Sequence, residues 1–189
     1  MEFTELRSMR MKQVAITNFV MVVVMIIYLM IISSFTVTIS HMYIFLGGII
    51  LIQAIYGFIK GDSTKSIISI YEKIAIYEKQ KMGKEWSKQR KVSNVWQLIL
   101  SGLFFFNSYW FGTDLVFQVD LKFMVVIIFF ILLFLNIGMM IHFKKVDRST
   151  SVQDFKGHTW KTNLLAIAIG IVLALVIIFV TFYYIASTI

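Results

Sequence analysis

Apolar residues are concentrated along this chain in blocks of about twenty, separated by short polar segments. A helix of about 20 apolar residues is long enough to cross the roughly 30 Å hydrocarbon core of a bilayer. The blocks predict five transmembrane helices, over about 14–39, 42–60, 95–117, 121–143 and 162–187. The predicted fold class is therefore all-α: a polytopic transmembrane helical bundle that forms a single domain over 1–189.

The central polar segment, about 64–91, has a periodicity of its own. Its apolar residues recur at three- and four-residue intervals, as in a helix with one apolar face, and lysines flank them. This pattern predicts an amphipathic helix that lies on the membrane surface. A basic loop with incidental periodicity is an equal alternative. The predicted lipid-surface residues are Ile67, Ile70, Tyr71, Lys73, Ile74, Tyr77 and Lys79.

Composition supports the membrane interpretation. Hydrophobic residues make up 59% of the chain and the mean hydropathy is +0.82, which excludes an ordinary soluble domain. The first apolar block exceeds the roughly 7–15 residues of a signal-peptide core, so we expect it to be a retained helix. The chain contains no proline, which favours unbroken helices. Its proline-free, Ile- and Lys-rich composition suggests a bacterial source.

Positive charge is confined to three segments. Every Lys and Arg except Lys122 lies in 1–13, 60–93 or 144–161. Because short cytoplasmic loops are enriched in Lys and Arg, this distribution predicts a cytoplasmic N-terminus and an external C-terminus in the bacterial plasma membrane. The same distribution explains the net charge of +8 without nucleic acid. The expected partners on the cytoplasmic side are membrane lipids with anionic headgroups.

Several kinds of chemistry are disfavoured by residue content. The absence of cysteine excludes disulfides and thiolate chemistry. His41, His142 and His158 are not spaced as metal ligands, and the predicted topology places His41 across the membrane from the others. We therefore expect no metal and no cofactor. The middle of each predicted span lacks Asp, Glu, Lys and Arg, which argues against ion-coupled transport.

One short motif could carry catalysis. His142 and Asp147 have the H-x4-D spacing at the cytoplasmic end of the fourth predicted helix. Over these six residues the chain resembles the acid/base motif of glycerolipid acyltransferases. That resemblance implies that the His activates an acceptor hydroxyl and the Asp orients the His. The alternative, which we favour, is an interfacial His beside an Asp of a charged loop.

Polar residues within the predicted spans form a second candidate site. Gln97, Ser101 and Ser108 lie with Asn94 on one face of the third predicted helix, and Gln53 and Asn136 could complete an internal cluster. The functional interpretation is a hydrated path or a polar substrate contact. The interpretation we favour is packing, with Asn94 and Gln97 at the helix start and the serines bonding across helices.

The fifth predicted helix carries small residues at four-residue spacing, Ala166, Gly170 and Ala174. Small residues on one face let two membrane helices approach closely. The partner could be a helix of the same chain, which we favour, another copy in a homo-oligomer, or another membrane protein.

These features leave three functional classes. The first is a non-catalytic integral membrane interaction protein, such as an accessory subunit, a regulator or an immunity-type protector. The alternative is a small homo-oligomeric channel or facilitator that uses the polar face. The third is a lipid-modifying membrane enzyme that depends on His142 and Asp147.

Overall fold

The computed structural model describes residues 3–35, 37–111, 121–168 and 171, and this part of the chain is all-helical. A short 3-10 helix, Val152–Phe155, and a helix over 158–168, here α6, complete the described elements. The five preceding helices are α1 (Phe3–Ser34), α2 (Ile39–Lys60), α3 (Ser69–Met82), α4 (Lys84–Phe111) and α5 (Leu121–Arg148).

Three described helices are long and apolar enough to cross a membrane: Thr4–Ser34, Ile39–Lys60 and Ile128–Arg148. They correspond to the first, second and fourth predicted spans. Helix α4 corresponds to the third predicted span. Over its described residues it is not both long and apolar enough to cross a membrane. Most of the fifth predicted span, 162–187, lies outside the described residues. The all-helical prediction is thus confirmed, with three long apolar spans.

The central segment differs from its prediction. It divides into α3 and the first turns of α4, which begins at Lys84 rather than near Val95. Gly83 separates the two helices with a φ of 58°, a left-handed conformation that side chains disfavour. A Cβ at Gly83 would lie 2.9 Å from Val152 Cγ1, so the 3-10 helix packs closely against this break. The lost periodicity after Lys79 therefore marks a change of helix.

Helices α2 and α4 pack side by side through small and polar residues. Ser40 Oγ lies 2.8 Å from Ser108 Oγ and donates to the Ser108 carbonyl at 3.1 Å. Two turns along each helix, Ser101 Oγ donates to the Gly47 carbonyl at 2.9 Å. The order of these contacts is reversed between the helices, so α2 and α4 run antiparallel. Small side chains let the two backbones approach closely enough for these bonds.

Helices α1 and α5 form a second pair, joined within their spans by two asparagines. Asn18 Nδ2 donates to Asn136 Oδ1 at 3.0 Å, and Asn136 Nδ2 donates to Asn18 Oδ1 at 2.9 Å. Asn136 Nδ2 also donates to the Leu132 carbonyl of its own helix at 2.7 Å. This reciprocal amide pair satisfies polar groups that lipid could not.

A small apolar core lies at one end of the helices, where α3 meets α4, α5 and the 3-10 helix. Its buried members come from those four elements: Met82, Trp86, Val146 and Phe155. Cations lie on the aromatic rings of this core. Arg90 Cζ is 4.6 Å from the Trp86 ring centroid, and Lys145 Nζ is 5.8 Å from that of Phe155. The core and the Arg10 contacts described below bring the three basic segments of the sequence together at this end.

Candidate functional site

An ion cluster centred on Arg10 lies where α1, α3 and α5 meet. Arg10 Nη1 donates to Glu78 Oε1 at 2.8 Å. Its Nη2 donates to Asp147 Oδ1 at 2.8 Å and its Nε to Asp147 Oδ2 at 3.2 Å. Arg10 Nη1 also donates to Gln13 Oε1 at 3.0 Å. Two parallel bonds to one carboxylate are the strong, geometrically specific form of an Arg–carboxylate pair.

The cluster is largely shielded from solvent. The Arg10 side chain is 8% exposed, that of Glu78 12% and that of Asp147 23%. Arg10 Cζ lies 4.3 Å from the Phe143 ring centroid and 5.6 Å from that of Tyr77. The guanidinium is thus held between two carboxylates and two aromatic rings. A charge in such surroundings is stable only while its partners are present.

The same surroundings shift the ionisation of two groups on α3. Burial opposes the charged form of Glu78, but hydrogen bonds and charges from His142 and Arg10 outweigh it and lower the pKa of Glu78. Burial, aided by the adjacent Asp147 carboxylate, raises the pKa of Tyr77 to about 12. At neutral pH Glu78 is therefore an anion and Tyr77 a neutral phenol.

Both residues of the H-x4-D motif belong to this cluster, but they bind different partners. His142 Nε2 lies 3.2 Å from Glu78 Oε1. Asp147 accepts from Arg10 through both carboxylate oxygens. These contacts therefore do not form the arrangement that the resemblance implies, in which Asp147 orients His142. Asp147 and His142 instead hold Arg10 and Glu78 in place between three helices.

The predicted polar face is divided among different contacts. Ser101 and Ser108 are buried between α2 and α4, where each bonds across the helices. Asn136 bonds Asn18 of α1, while Gln53 is exposed on α2. Gln97 is half-buried on α4.

Asn94 does not start a helix, since it lies well inside α4, and its side chain faces Gly57 of α2. A Cβ added at Gly57 would clash with the Asn94 amide. The interpretation of Asn94 as an N-cap was therefore wrong, because the helix continues through the basic segment.

The predicted lipid-surface residues lie on or just before α3, and several of them contact other helices. Ile74 is buried, Tyr77 packs on the core, and Tyr71 Oη lies 2.8 Å from Thr17 Oγ1 of α1. Lys79 Nζ donates to the Asp62 carbonyl at 2.7 Å. Exposed positions are Ile67, which is 99% exposed, and Lys73, while Ile70 is half-buried. The apolar stripe on α3 therefore serves protein contact in large part.

The small-residue face of the fifth predicted span is described only at its start. Ala166 lies on α6 and is exposed. Gly170 and Ala174 lie outside the described residues.

Sequence reasoning did not predict that Arg10 and Glu78 belong to an ion cluster. Arg10 belongs to one of the basic segments that predict topology, and no role was predicted for Glu78. One signal was available: Arg10 and Asp147 are charges at the ends of apolar spans, where a buried partner stabilises them. Their pairing could not be foreseen, because the two residues are 137 positions apart in the chain.

A second polar contact ties α6 to α4. Glu85 Oε2 accepts from the Thr159 hydroxyl at 2.7 Å and from the Thr159 backbone N–H at 3.2 Å. The hydrogen bond from the Thr159 side chain is the largest cause that lowers the pKa of Glu85, and the bond from the Thr159 backbone adds to it. Thr159 is buried, so the carboxylate of Glu85 fixes the start of α6 beside the start of α4.

In comparisons with known proteins, no family model, no curated protein and no solved structure matches the chain.

Proposed function

We propose that this protein is a non-catalytic integral membrane interaction protein that acts as an accessory subunit, a regulator or an immunity-type protector. The observation that carries the proposal is the exposure of the apolar side chains on the membrane spans, which face away from the rest of the described chain. In the most apolar stretch of Ile128–Arg148, no residue is buried against the described chain. The corresponding share is 6% in Thr4–Ser34 and 11% in Ile39–Lys60.

The polar residues support the same proposal, since they join the helices to one another. Arg10, Glu78 and Asp147 pair where three helices meet, and Ser101 and Ser108 bond α4 to α2. These inward contacts leave the outer faces to apolar side chains. Exposed aromatic and aliphatic residues on those faces offer van der Waals contact to a helix of another membrane protein. Examples are Phe19, Ile52 and Phe134.

We also propose a multi-pass location in a bacterial plasma membrane, with five spans, a cytoplasmic N-terminus and an external C-terminus. The contacts of Arg10 with Glu78 and Asp147 support the placement of the three basic segments on the same side of the membrane. Because the chain has no cysteine, single cysteines can report this topology. A membrane-impermeant maleimide should label His41→Cys in intact cells, but Ser8→Cys and Thr150→Cys only after permeabilisation. Labelling of Ser8→Cys in intact cells would overturn the orientation.

The interaction proposal is tested by photo-crosslinking in the native membrane. A benzophenone amino acid replaces Phe19, Ile52 or Phe134, one at a time, and Ile67 serves as an exposed control outside the spans. The expected result is one second polypeptide crosslinked from at least one span position and not from Ile67. Native mass spectrometry of gently extracted protein should show the same polypeptide at a fixed ratio.

Other outcomes would favour the competing functions. A symmetric homo-oligomer with no second polypeptide would contradict the proposal and favour a channel, which liposome flux would then measure. Turnover of lipid that His142→Ala abolishes would contradict it in favour of an enzyme. A monomer that crosslinks to lipid alone would leave the protein without the proposed partner, and the proposal would fail.

A further inference from the structure

The polar end of α5 forms one wall of an open, cationic cavity. The cavity has a volume of about 660 Å³, within the roughly 300–1,000 Å³ of small-ligand sites. Three of its lining residues are basic. The residues that line it are Ile141, Lys144, Lys145, Arg148, Ser149 and Asp154.

The basic residues of this cavity differ from Arg10 in their partners. Lys144 and Arg148 are exposed, and no described residue forms an ion pair with either of them. The acidic lining residue, Asp154, is engaged by the backbone. Its Oδ2 accepts from the N–H groups of Thr150 at 2.9 Å and Ser151 at 3.0 Å. Its single charge offsets part, but not all, of the positive charge around the cavity.

The cavity wall is held in place by a contact with the apolar core and by hydrogen bonds. Lys145 Nζ lies 5.8 Å from the ring centroid of buried Phe155. Ser149 Oγ donates to the Lys145 carbonyl at 2.6 Å, and the Ser149 carbonyl accepts from Lys81 Nζ at 2.9 Å. Lys81 thereby adds a further cation beside the cavity. A site that is fixed before a ligand arrives loses less entropy when it binds.

The same face of α5 changes from apolar to basic at this point. Residues 141, 144, 145 and 148 are three or four positions apart and so share one side of the helix. Ile141 is 66% exposed, and exposed Ile137 continues the face one turn deeper into the span. Apolar residues followed by cations along one helix face match a lipid, whose acyl chains lie below its phosphate.

We propose that this cavity binds the headgroup phosphate of an anionic phospholipid. Lys144 and Arg148 contact the phosphodiester, Lys145 adds charge behind them, and the acyl chains run along Ile141 and Ile137. The site goes beyond the proposed function, because it requires the spans but no protein partner. Three cations around one phosphate favour a lipid with net negative charge over a zwitterionic one.

The test is lipid retention by the purified full-length protein, measured by native mass spectrometry. The protein is titrated with phosphatidylglycerol and, separately, with phosphatidylethanolamine. Each basic residue near an anionic surface contributes about 1 kcal/mol, so each loss should weaken phosphatidylglycerol binding roughly fivefold. Lys144→Gln with Arg148→Gln should therefore weaken it roughly 25-fold, while phosphatidylethanolamine binding changes less than about twofold.

Matched variants separate a site from general surface charge. Lys84→Gln with Lys91→Gln removes the same charge from two exposed lysines of α4 and should leave phosphatidylglycerol binding within about twofold. Lys144→Arg with Arg148→Lys keeps the charges and should retain binding. Circular dichroism of each variant checks the helices, and the increase in unfolding temperature that phosphatidylglycerol produces gives a second readout.

Three results would overturn the proposal. Equal retention of the two lipids by the unaltered protein would remove the anionic preference. If the variant with Lys84→Gln and Lys91→Gln lost phosphatidylglycerol binding to the same extent, net charge alone would explain the effect. Displacement of phosphatidylglycerol by millimolar inorganic phosphate, with phosphate bound in its place, would make the ligand a soluble phosphate instead.

Discussion

Arg10 donates to both carboxylate oxygens of Asp147, at 3.2 Å through Nε and 2.8 Å through Nη2, and so fixes the start of α1 to the end of α5. The third donor, Nη1, binds Glu78 of α3 at 2.8 Å. One guanidinium therefore joins three helices that are far apart in sequence. It also pairs with two carboxylates at a place where water has limited access, and its single positive charge balances one of their two negative charges.

Replacing Arg10 by Met should destabilise the protein strongly. The change leaves Glu78 and Asp147 together without their shared counter-charge, and breaking a buried pair costs about 3–5 kcal/mol. Because Asp147 is 23% exposed, we expect a value near the lower limit. Unfolding in mixed micelles, followed by circular dichroism, gives the free energy of unfolding.

Two further variants at the N-terminus serve as controls for Arg10. Arg7→Met removes an exposed arginine of the same helix and should change the free energy of unfolding by no more than about 0.5 kcal/mol. Arg10→Lys keeps the charge but not the bidentate geometry, so it should fall between the two. Equal effects of Arg7→Met and Arg10→Met would show that the cluster contributes little.

The lowered pKa of Glu78 predicts an acid-sensitive contribution to stability. Its pKa lies below the ordinary value of 4.5 in the folded protein. The ionised carboxylate therefore stabilises the fold fully above about pH 4.5, and that contribution is lost as the pH falls through the folded pKa. Glu78→Gln lacks it at every pH. The variant should be less stable than the unaltered protein at pH 7 and should lose less stability between pH 5 and pH 3.

Exposed Glu5 provides the matched control for this pH series. Glu5→Gln should keep the acid-induced loss of stability that the unaltered protein shows. If Glu78→Gln lost as much stability on acidification as the unaltered protein, other carboxylates would account for the effect. The measurement is the free energy of unfolding at each pH, from the same micelle titration.

Local sequence patterns predicted the first, second and fourth spans, because the length of an apolar block can be read from consecutive residues alone, but they did not predict that α4 begins at Lys84. The second span was predicted over 42–60 and is α2, Ile39–Lys60. The break at Gly83 left a trace as well, since the periodicity ends near Lys79. The division of the polar residues into separate contacts could not be predicted, because it depends on which helices are neighbours. Gln53 and Asn136 look alike in sequence, yet one is exposed and the other bonds Asn18.

That difference predicts unequal effects of the same substitution. Asn136→Leu removes both amide bonds to Asn18 and leaves the Asn18 amide without its partner. A double-mutant cycle with Asn18→Leu should give a coupling of about 0.6 kcal/mol and no more than roughly 1.7 kcal/mol, the range of hydrogen bonds between membrane helices. Gln53→Leu is the control and should have no destabilising effect. Zero coupling would mean that the amide pair does not form in the membrane.

The contact between α2 and α4 predicts opposite results for two adjacent glycines. A Cβ at Gly47 would lie 3.2 Å from Phe104 Cβ and 3.3 Å from Phe105 Cε1, whereas a Cβ at Gly48 would meet nothing within 4 Å. Gly47→Leu should therefore cost about 1–3 kcal/mol through overpacking. Gly48→Ala should be neutral or stabilise the helix by up to about 1 kcal/mol. Thermal unfolding of both variants measures the difference, and equal losses would exclude close packing at Gly47.

The register of α2 against α4 can be tested by a crosslink, because the chain contains no cysteine of its own. Ser40 Oγ and Ser108 Oγ are 2.8 Å apart, so cysteines at these positions place their two sulfur atoms side by side, as a disulfide requires. Ser40→Cys with Ser108→Cys should oxidise to an intrachain disulfide. After oxidation the protein is denatured in sodium dodecyl sulfate, and protection of both thiols from a polyethylene glycol maleimide then measures the disulfide.

The control pairs Ser40→Cys with Ser101→Cys, which is buried on the same face of α4. Positions 101 and 108 are separated by seven residues, a rise of about 10 Å along the helix. A disulfide cannot reach over that distance unless the helices slide, so this pair should stay reduced and accept two maleimides. Bridging of the control pair in place of Ser40 and Ser108 would show that the helices pack in a different register, with Ser101 no longer opposite Gly47.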